Sequence, residues 1–154
     1  MRPLDKGKCP IDPNTGKDKI VTDYGHWRMD LIGRIGEYCA YCNMPINQSL
    51  NVEHVVPKNP MPNQPVGSLL TWKNMLLACI ACNGTGAKGN NPYNPADYYT
   101  PEDHNPLLAF SVEIPTSSSN AAVVISHPNL NFTQRAKAEK TINLFKWKAI
   151  DSRP

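Results

Sequence analysis

The sequence predicts a small α+β protein whose core is stapled by a metal site. Two cysteine pairs, Cys39-Ala-Tyr-Cys42 and Cys79-Ile-Ala-Cys82, lie a few dozen residues apart, and this spacing is typical of a four-cysteine zinc site. Two short strand-like segments lie after the first pair, and segments with helical periodicity lie near both ends of the chain. These observations together favour short strands and helices arranged around the metal.

Length and composition indicate one small domain. The chain has 154 residues, of which 40% are hydrophobic, so it can bury a modest core that a metal staple would help to stabilise. We expect an N-terminal arm over residues 1–20 and a single domain over residues 21–154. Proline is frequent, with 15 residues, and this predicts long loops between short elements.

The sequence also predicts a compartment and a state for the cysteines. No apolar run approaches the ~18 residues of a membrane span. The N-terminus has no apolar signal core, so we expect a cytoplasmic protein without membrane association. Thiols stay reduced there, so the paired cysteines are interpreted as metal ligands, with disulfides or redox chemistry as the less favoured alternatives. Cys9 has no partner in this pattern. A net charge of +3 permits nucleic-acid binding without requiring it.

The elements are predicted in order along the chain. Residues 1–20 are polar and rich in turn residues. A helix is expected over 22–36, with Gly36 at its end and an apolar face formed by Trp27, Leu31, Ile32 and Ile35. A strand over 49–56 and a loop with four prolines over 57–65 follow.

The second half is predicted in the same way. A strand over 75–80 leads into the second cysteine pair, and a short, glycine-rich helix is expected to begin at Asn83. Strands over 107–113 and 121–126, separated by a turn at 117–120, predict a β-hairpin. A final helix is expected over 133–149. Its excess of lysine and arginine forms either a solvated face or a phosphate-contacting one.

A second cluster has the chemistry of a hydrolytic site. Glu53 is the one acidic residue between positions 38 and 96, and it precedes His54. Adjacent side chains on a strand point to opposite faces, so Glu53 could turn toward a metal ion and Asn83 while His54 faces an attacking water. Oxygen ligands suit Mg²⁺ or Mn²⁺, and a histidine can serve as general base. Asn74, before the second strand, can bond backbone groups and pin the segment 57–73.

These motifs resemble the HNH family of endonucleases. The shared features are the cysteine pairs, Glu53-His-Val-Val-Pro-Lys58, Trp72-Lys-Asn74, Cys82-Asn83 and Lys88-Gly-Asn90. The resemblance implies a ββα-metal (HNH) core over 38–92, followed by a C-terminal hairpin and helix over 105–150. It implies that His54 is the general base, that Glu53 and Asn83 hold Mg²⁺ or Mn²⁺, that Asn74 is structural, and that Cys39, Cys42, Cys79 and Cys82 bind structural Zn²⁺. Cleavage would leave 5′-phosphate and 3′-hydroxyl ends.

A wider resemblance involves both ends of the chain. The segments 1–7, 30–39 and 141–145 are similar to the HNH proteins of bacterial anti-phage systems, of the Septu and retron-associated type. This implies a DNA nuclease that works beside an ATPase of the ABC/SMC kind. We expect Lys58 and Lys88 to contact phosphate. Two alternatives remain open: a non-catalytic, zinc-stapled module that binds nucleic acid for a partner, and an HNH-type RNase.

Overall fold

The protein is a mixed assembly of short helices and strands. The computed structural model describes residues 1–45, 50–91, 93, 96–114 and 123–147. The α-helices are α1 (Arg28–Ile35), α2 (Ile80–Asn83) and α3 (Phe132–Phe145), and the strands are β1 (Asn51–His54), β2 (Met75–Ala78), β3 (Phe110–Glu113) and β4 (Val123–Ser126). Short 3-10 helices occur at Tyr24–Trp27, Trp72–Asn74 and Pro106–Leu108. The α+β class is therefore confirmed.

The central element is the antiparallel pair β1 and β2. Val52 pairs with Leu77 and His54 pairs with Met75. All four residues of β2 are buried, because both faces of the pair are covered. Met75 and Leu77 pack in the cluster that contains α1, whereas Leu76 and Ala78 pack in the cluster around the cysteines. This confirms the two strands predicted at 49–56 and 75–80. Among the described residues, each observed strand is shorter than its predicted range.

The helix predicted over 22–36 is present in two parts. A 3-10 turn over Tyr24–Trp27 begins at Asp23, whose side chain accepts a hydrogen bond from Gly25 N, and α1 continues from it. Trp27, Leu31 and Ile35 are buried in the core, as the periodicity predicted. Gly36 ends the helix with a φ of 79°, a left-handed value that glycine adopts readily.

The position predicted for the second helix is wrong. A helix was expected to begin at Asn83, but α2 ends there, after starting at Ile80. The cysteine knuckle determines this start, because the Cys79 side chain accepts a hydrogen bond from Cys82 N. The glycine-rich residues 84–90 form bends and turns instead.

The C-terminal region contains the predicted hairpin and helix. β3 and β4 pair antiparallel, with Phe110 opposite Ser126, while residues 117–122 lie outside the described residues. Helix α3 starts with a capping box between Asn131 and Gln134, and it ends at Phe145 rather than at the predicted 149, since Lys146 is left-handed. Positions 148 and 149 lie outside the described part. Within the described residues, no helix is long and apolar enough to span a membrane.

The N-terminal segment is attached to the domain by backbone and side-chain contacts. Leu4 N donates a hydrogen bond of 2.7 Å to Pro101 O. The buried ammonium of Lys6 donates to the carbonyl oxygens of Lys73 and Met75 and forms an ion pair with Glu102 at 2.8 Å. A buried lysine requires such partners to offset its lost hydration. The arm therefore packs beside β2 although it contains no named helix or strand.

Candidate active site and metal centre

The four paired cysteines converge on one point. Their sulfur atoms all lie within 4.8 Å of one another, and the Cys42 and Cys79 sulfurs are 3.9 Å apart. Four thiolates at about 2.3 Å from a tetrahedral zinc ion would be roughly 3.8 Å apart. The geometry and the sulfur donor set therefore fit a zinc ion. Cys39 and Cys82 are buried, whereas Cys42 and Cys79 are partly exposed.

The proximity of the sulfurs perturbs their protonation. Hydrogen bonds from Cys42 and Cys82 lower the pKa of Cys39 to about 2. Hydrogen bonding to the Cys39 sulfur raises the pKa of Cys42 to about 11 and also raises the pKa of Cys82. Four adjacent thiols cannot all ionise without a cation to compensate the negative charge. This cluster is therefore suited to release protons when a divalent cation binds.

The cysteine cluster is connected to the central strands. Ala40 N donates to Leu77 O at 2.8 Å, which attaches the first knuckle to β2. Asn83 follows the second knuckle directly, and its backbone N–H donates to Cys79 O at 2.9 Å. A metal ion in the cluster would consequently fix the position of Asn83 relative to β1 and β2.

A second feature is a polar cleft of about 210 Å³, which we call the His54 cleft. Side chains from β1, from the loop that follows β1 and from the end of α2 border it. The structure thus brings together predicted site residues that are up to thirty positions apart in sequence. The lining includes Glu53, His54, Lys58 and Asn83, together with Tyr24, Thr85 and Asn90.

His54 is held in one tautomer. Its side chain is 6% exposed, and Nε2 lies 3.0 Å from the carbonyl oxygen of Leu69. A carbonyl can only accept, so Nε2 carries the hydrogen and Nδ1 is the unprotonated nitrogen. Tyr24 packs edge-on against the ring with centroids 4.7 Å apart. Burial lowers the pKa of His54 below its usual value, so the imidazole is neutral at neutral pH.

Glu53 is 3% exposed and is bonded by two side chains. Tyr41 donates its hydroxyl to Oε1 at 2.9 Å, and Lys88 Nζ lies 2.7 Å from the same oxygen. Burial raises the pKa of Glu53, and the positive charge of Lys88 acts in the opposite direction. Glu53 and Asn83 both line the cleft, where a carboxylate and an amide oxygen are donors that could hold Mg²⁺ or Mn²⁺.

The location of Lys88 requires a correction of its expected role. We expected this side chain to contact phosphate, but it is 0% exposed. Its ammonium is bonded to Glu53 and to the carbonyl oxygen of His54 at 2.9 Å. From the sequence, Lys88 was interpreted as a surface cation because most lysines in proteins are exposed. In this structure its charge compensates Glu53 inside the protein instead.

Asn74 has the geometry that the sequence predicted. Its Oδ1 accepts from Val56 N at 2.8 Å, and its Nδ2 donates to Val56 O and to Ser68 O at 3.0 and 2.9 Å. The side chain therefore fixes both ends of the intervening loop, next to the Leu69 carbonyl that orients His54. Gly67 permits this close approach, because a Cβ there would lie 1.8 Å from Val56 O.

Lys58 remains exposed at the rim of the cleft. Its ammonium lies 4.5 Å from the centroid of the Tyr24 ring and within 3.5 Å of the Tyr24 hydroxyl. Three further residues contact His54 or Glu53 although the sequence pattern did not indicate them: Tyr24, Tyr41 and Leu69. Their contributions depend on contacts over long sequence distances, and no local motif indicated them.

Comparison with known proteins identifies the class of domain. Residues 39–88 match the family model of the HNH endonucleases, so this segment is an HNH endonuclease domain, as the motifs predicted. The chain is also similar to the Septu protein PtuB of Bacillus thuringiensis, with 24% identity over 108 residues. That alignment covers 66% of this chain and 40% of the relative, so the chain spans less than half of that protein's length.

Proposed function

We propose that this protein is a metal-dependent HNH endonuclease that hydrolyses phosphodiester bonds in DNA and acts in anti-phage defence. The HNH match and the similarity to a Septu protein support the class and the setting. The observation that carries the chemistry is the neutral Nε2–H tautomer of His54 in a cleft shared with Glu53 and Asn83. Such a histidine is prepared to accept a proton at Nδ1.

The proposed role of His54 follows from what hydrolysis requires. Attack on a phosphodiester needs a water molecule from which a nearby base removes a proton. His54 can do this because burial keeps it neutral, and because the Leu69 carbonyl stabilises the proton on Nε2 after Nδ1 is protonated. The edge contact with Tyr24 restricts rotation of the ring. These contacts support His54 as the general base.

The proposed metal ligands are Glu53 and Asn83. A carboxylate and an amide oxygen, with water completing the shell, form a suitable set for Mg²⁺ or Mn²⁺. When bound, the cation would neutralise charge on the phosphate and on the leaving oxygen. The four cysteines would hold a structural Zn²⁺ that fixes Asn83 beside β1.

The proposed substrate and partner follow from charge and similarity. Lys58 is exposed at the rim of the cleft, where it can contact a backbone phosphate. Similarity to Septu PtuB supports a defence nuclease that works with a partner protein. We infer that this partner is an ATPase of the ABC/SMC kind and that both proteins act in the cytoplasm.

The test is plasmid cleavage by the purified, zinc-loaded chain in Mg²⁺ or Mn²⁺. We expect nicking or linearisation that His54→Ala abolishes without loss of zinc. His26→Ala is the matched control, because His26 is an exposed histidine outside the His54 cleft. Cleavage that persists in His54→Ala would refute the assignment of the base.

Two further arms separate the alternatives. In the first, single-stranded RNA is supplied at the same concentration as the DNA, to test for an RNase. Faster hydrolysis of RNA than of DNA would contradict the proposed substrate. If the isolated chain does not cut, the assay is repeated with the proposed ATPase partner of the ABC/SMC kind and ATP. Cleavage that appears only then indicates a partner-dependent enzyme, whereas none in either case favours a zinc-stapled binding module.

A further inference from the structure

The buried ammonium of Lys88 makes two specific contacts with residues that line the His54 cleft. It lies 2.7 Å from Glu53 Oε1 and donates to the His54 carbonyl oxygen at 2.9 Å. The side chain is 0% exposed, so its lost hydration must be offset by such partners. Two of its three hydrogen-bond donors are therefore directed at the two adjacent residues that carry the proposed chemistry.

The second donor to Glu53 reaches the same oxygen. The Tyr41 hydroxyl donates to Oε1 at 2.9 Å, and Tyr41 is itself fully buried and stacked on Phe145, with ring centroids 4.6 Å apart. Two donors that converge on one carboxylate oxygen fix the rotation of the carboxylate. Oε2 is engaged by neither of these side chains, and Glu53 borders the cleft.

We propose that Lys88 is a positioning residue for the metal site. Its ammonium and the Tyr41 hydroxyl hold Oε1 of Glu53, so that Oε2 is presented to the divalent cation, while the second hydrogen bond of Lys88 fixes the backbone of His54. This inference rests on the proposed function, because it requires Glu53 to be a metal ligand. Outer partners that orient a metal ligand typically affect metal affinity strongly.

The backbone around Lys88 supports this role. Lys88 N donates to Cys82 O at 3.1 Å, so the residue is attached to the second cysteine knuckle. Gly89 follows with a φ of +46°, and a Cβ at this position would lie 3.1 Å from Thr85 Cα. The tight turn therefore directs the lysine inward. Through Lys88, the cysteine cluster therefore influences the orientation of Glu53 as well as the position of Asn83.

A purely structural ion pair would give a different experimental result. If Lys88 contributes only to stability, its replacement lowers the free energy of unfolding and leaves the affinity of the folded protein for Mn²⁺ unchanged. If Lys88 positions Glu53, Mn²⁺ binding weakens in protein that is still folded. The experiment therefore measures Mn²⁺ binding to the zinc-loaded full chain, with free Mn²⁺ followed by electron paramagnetic resonance.

Lys88→Met keeps the length and apolar stem of the side chain and removes its ammonium. We expect its Mn²⁺ dissociation constant to rise about tenfold to a hundredfold. Zinc content should remain that of the wild type. In a Glu53→Gln background, the same change should cause no further loss. Lys73→Met is the matched control, because the Lys73 side chain is exposed, and it should bind Mn²⁺ as the wild type does.

Each outcome decides between the explanations. Wild-type affinity in folded Lys88→Met would overturn this inference and leave the proposed function intact. Absence of Mn²⁺ binding in the wild type would overturn the proposed metal site itself. If Lys88→Met does not retain zinc, the Mn²⁺ titration is made with Tyr41→Phe instead. That variant removes only the other hydrogen bond to Glu53 Oε1. A raised dissociation constant supports the inference, and an unchanged one overturns it.

Discussion

Replacing Asn74 by aspartate should destabilise the protein more than replacing it by alanine, although aspartate has nearly the same shape. The Asn74 amide accepts one hydrogen bond, from Val56 N, and donates two, to the carbonyl oxygens of Val56 and Ser68. An ionised aspartate can only accept. It would keep the first bond and place negative charge against two carbonyl oxygens.

The magnitudes follow from these three bonds. Each contributes about 0.5–1.5 kcal/mol net, so Asn74→Ala should lower the free energy of unfolding by about 2 kcal/mol. The bond to Ser68 is exposed and contributes at the low end of that range. Asn74→Asp leaves two carbonyl groups without their donor and adds repulsion, for a loss of about 3 kcal/mol.

The assay is urea unfolding of zinc-loaded protein, followed by tryptophan fluorescence, because Trp27 and Trp72 are buried in the core next to this loop. Asn143→Ala is the control, since Asn143 is exposed on α3 and should stay within about 0.5 kcal/mol of the wild type. The reasoning is refuted if Asn74→Asp is as stable as the wild type or clearly more stable than Asn74→Ala.

Three further predictions concern other parts of the molecule. Cys79→Ser, or removal of zinc by a chelator, should unfold the domain, and an unchanged circular dichroism spectrum would contradict a structural zinc site. Lys6→Met should lower the free energy of unfolding by about 2–4 kcal/mol, because it leaves Glu102 and two carbonyl groups without their donor; a urea midpoint equal to that of the wild type would oppose this. Burial, and then the nearby Lys137 ammonium, lowers the pKa of His104 below 6.5, so the folded state binds this proton less readily than the unfolded chain does. The contribution of His104 to the free energy of unfolding should therefore be fully present above pH 6.5 and be lost at lower pH. His104→Gln should reduce that loss, and equal pH profiles of the two proteins would argue against this prediction.

The parts of the fold that depend on local pattern were predictable from sequence. The cysteine spacing located the metal cluster, and a β-prone segment and an apolar run located β1 and β2. Asn74 was expected to bond backbone groups and pin the preceding segment 57–73, because asparagine side chains commonly bond nearby backbone groups. The observed hydrogen bonds confirm this expectation.

The parts that depend on distant contacts were not predictable in this way. Lys88 was interpreted as an exposed cation, since its partner Glu53 is 35 positions earlier and nothing local indicates the pairing. The start of α2 is determined by the Cys79 side chain rather than by helix propensity. Tyr24 reaches His54 only because α1 packs against the β1–β2 pair.

The most direct test of the central claim is a count of metal sites on the folded chain. We predict one zinc per chain by elemental analysis and one additional Mn²⁺ site by titration. Glu53→Gln and Asn83→Ala should each weaken or abolish the Mn²⁺ site while zinc is retained. A chain that binds zinc and no Mn²⁺, with or without nucleic acid, would contradict a catalytic metal in the cleft and indicate a binding module instead.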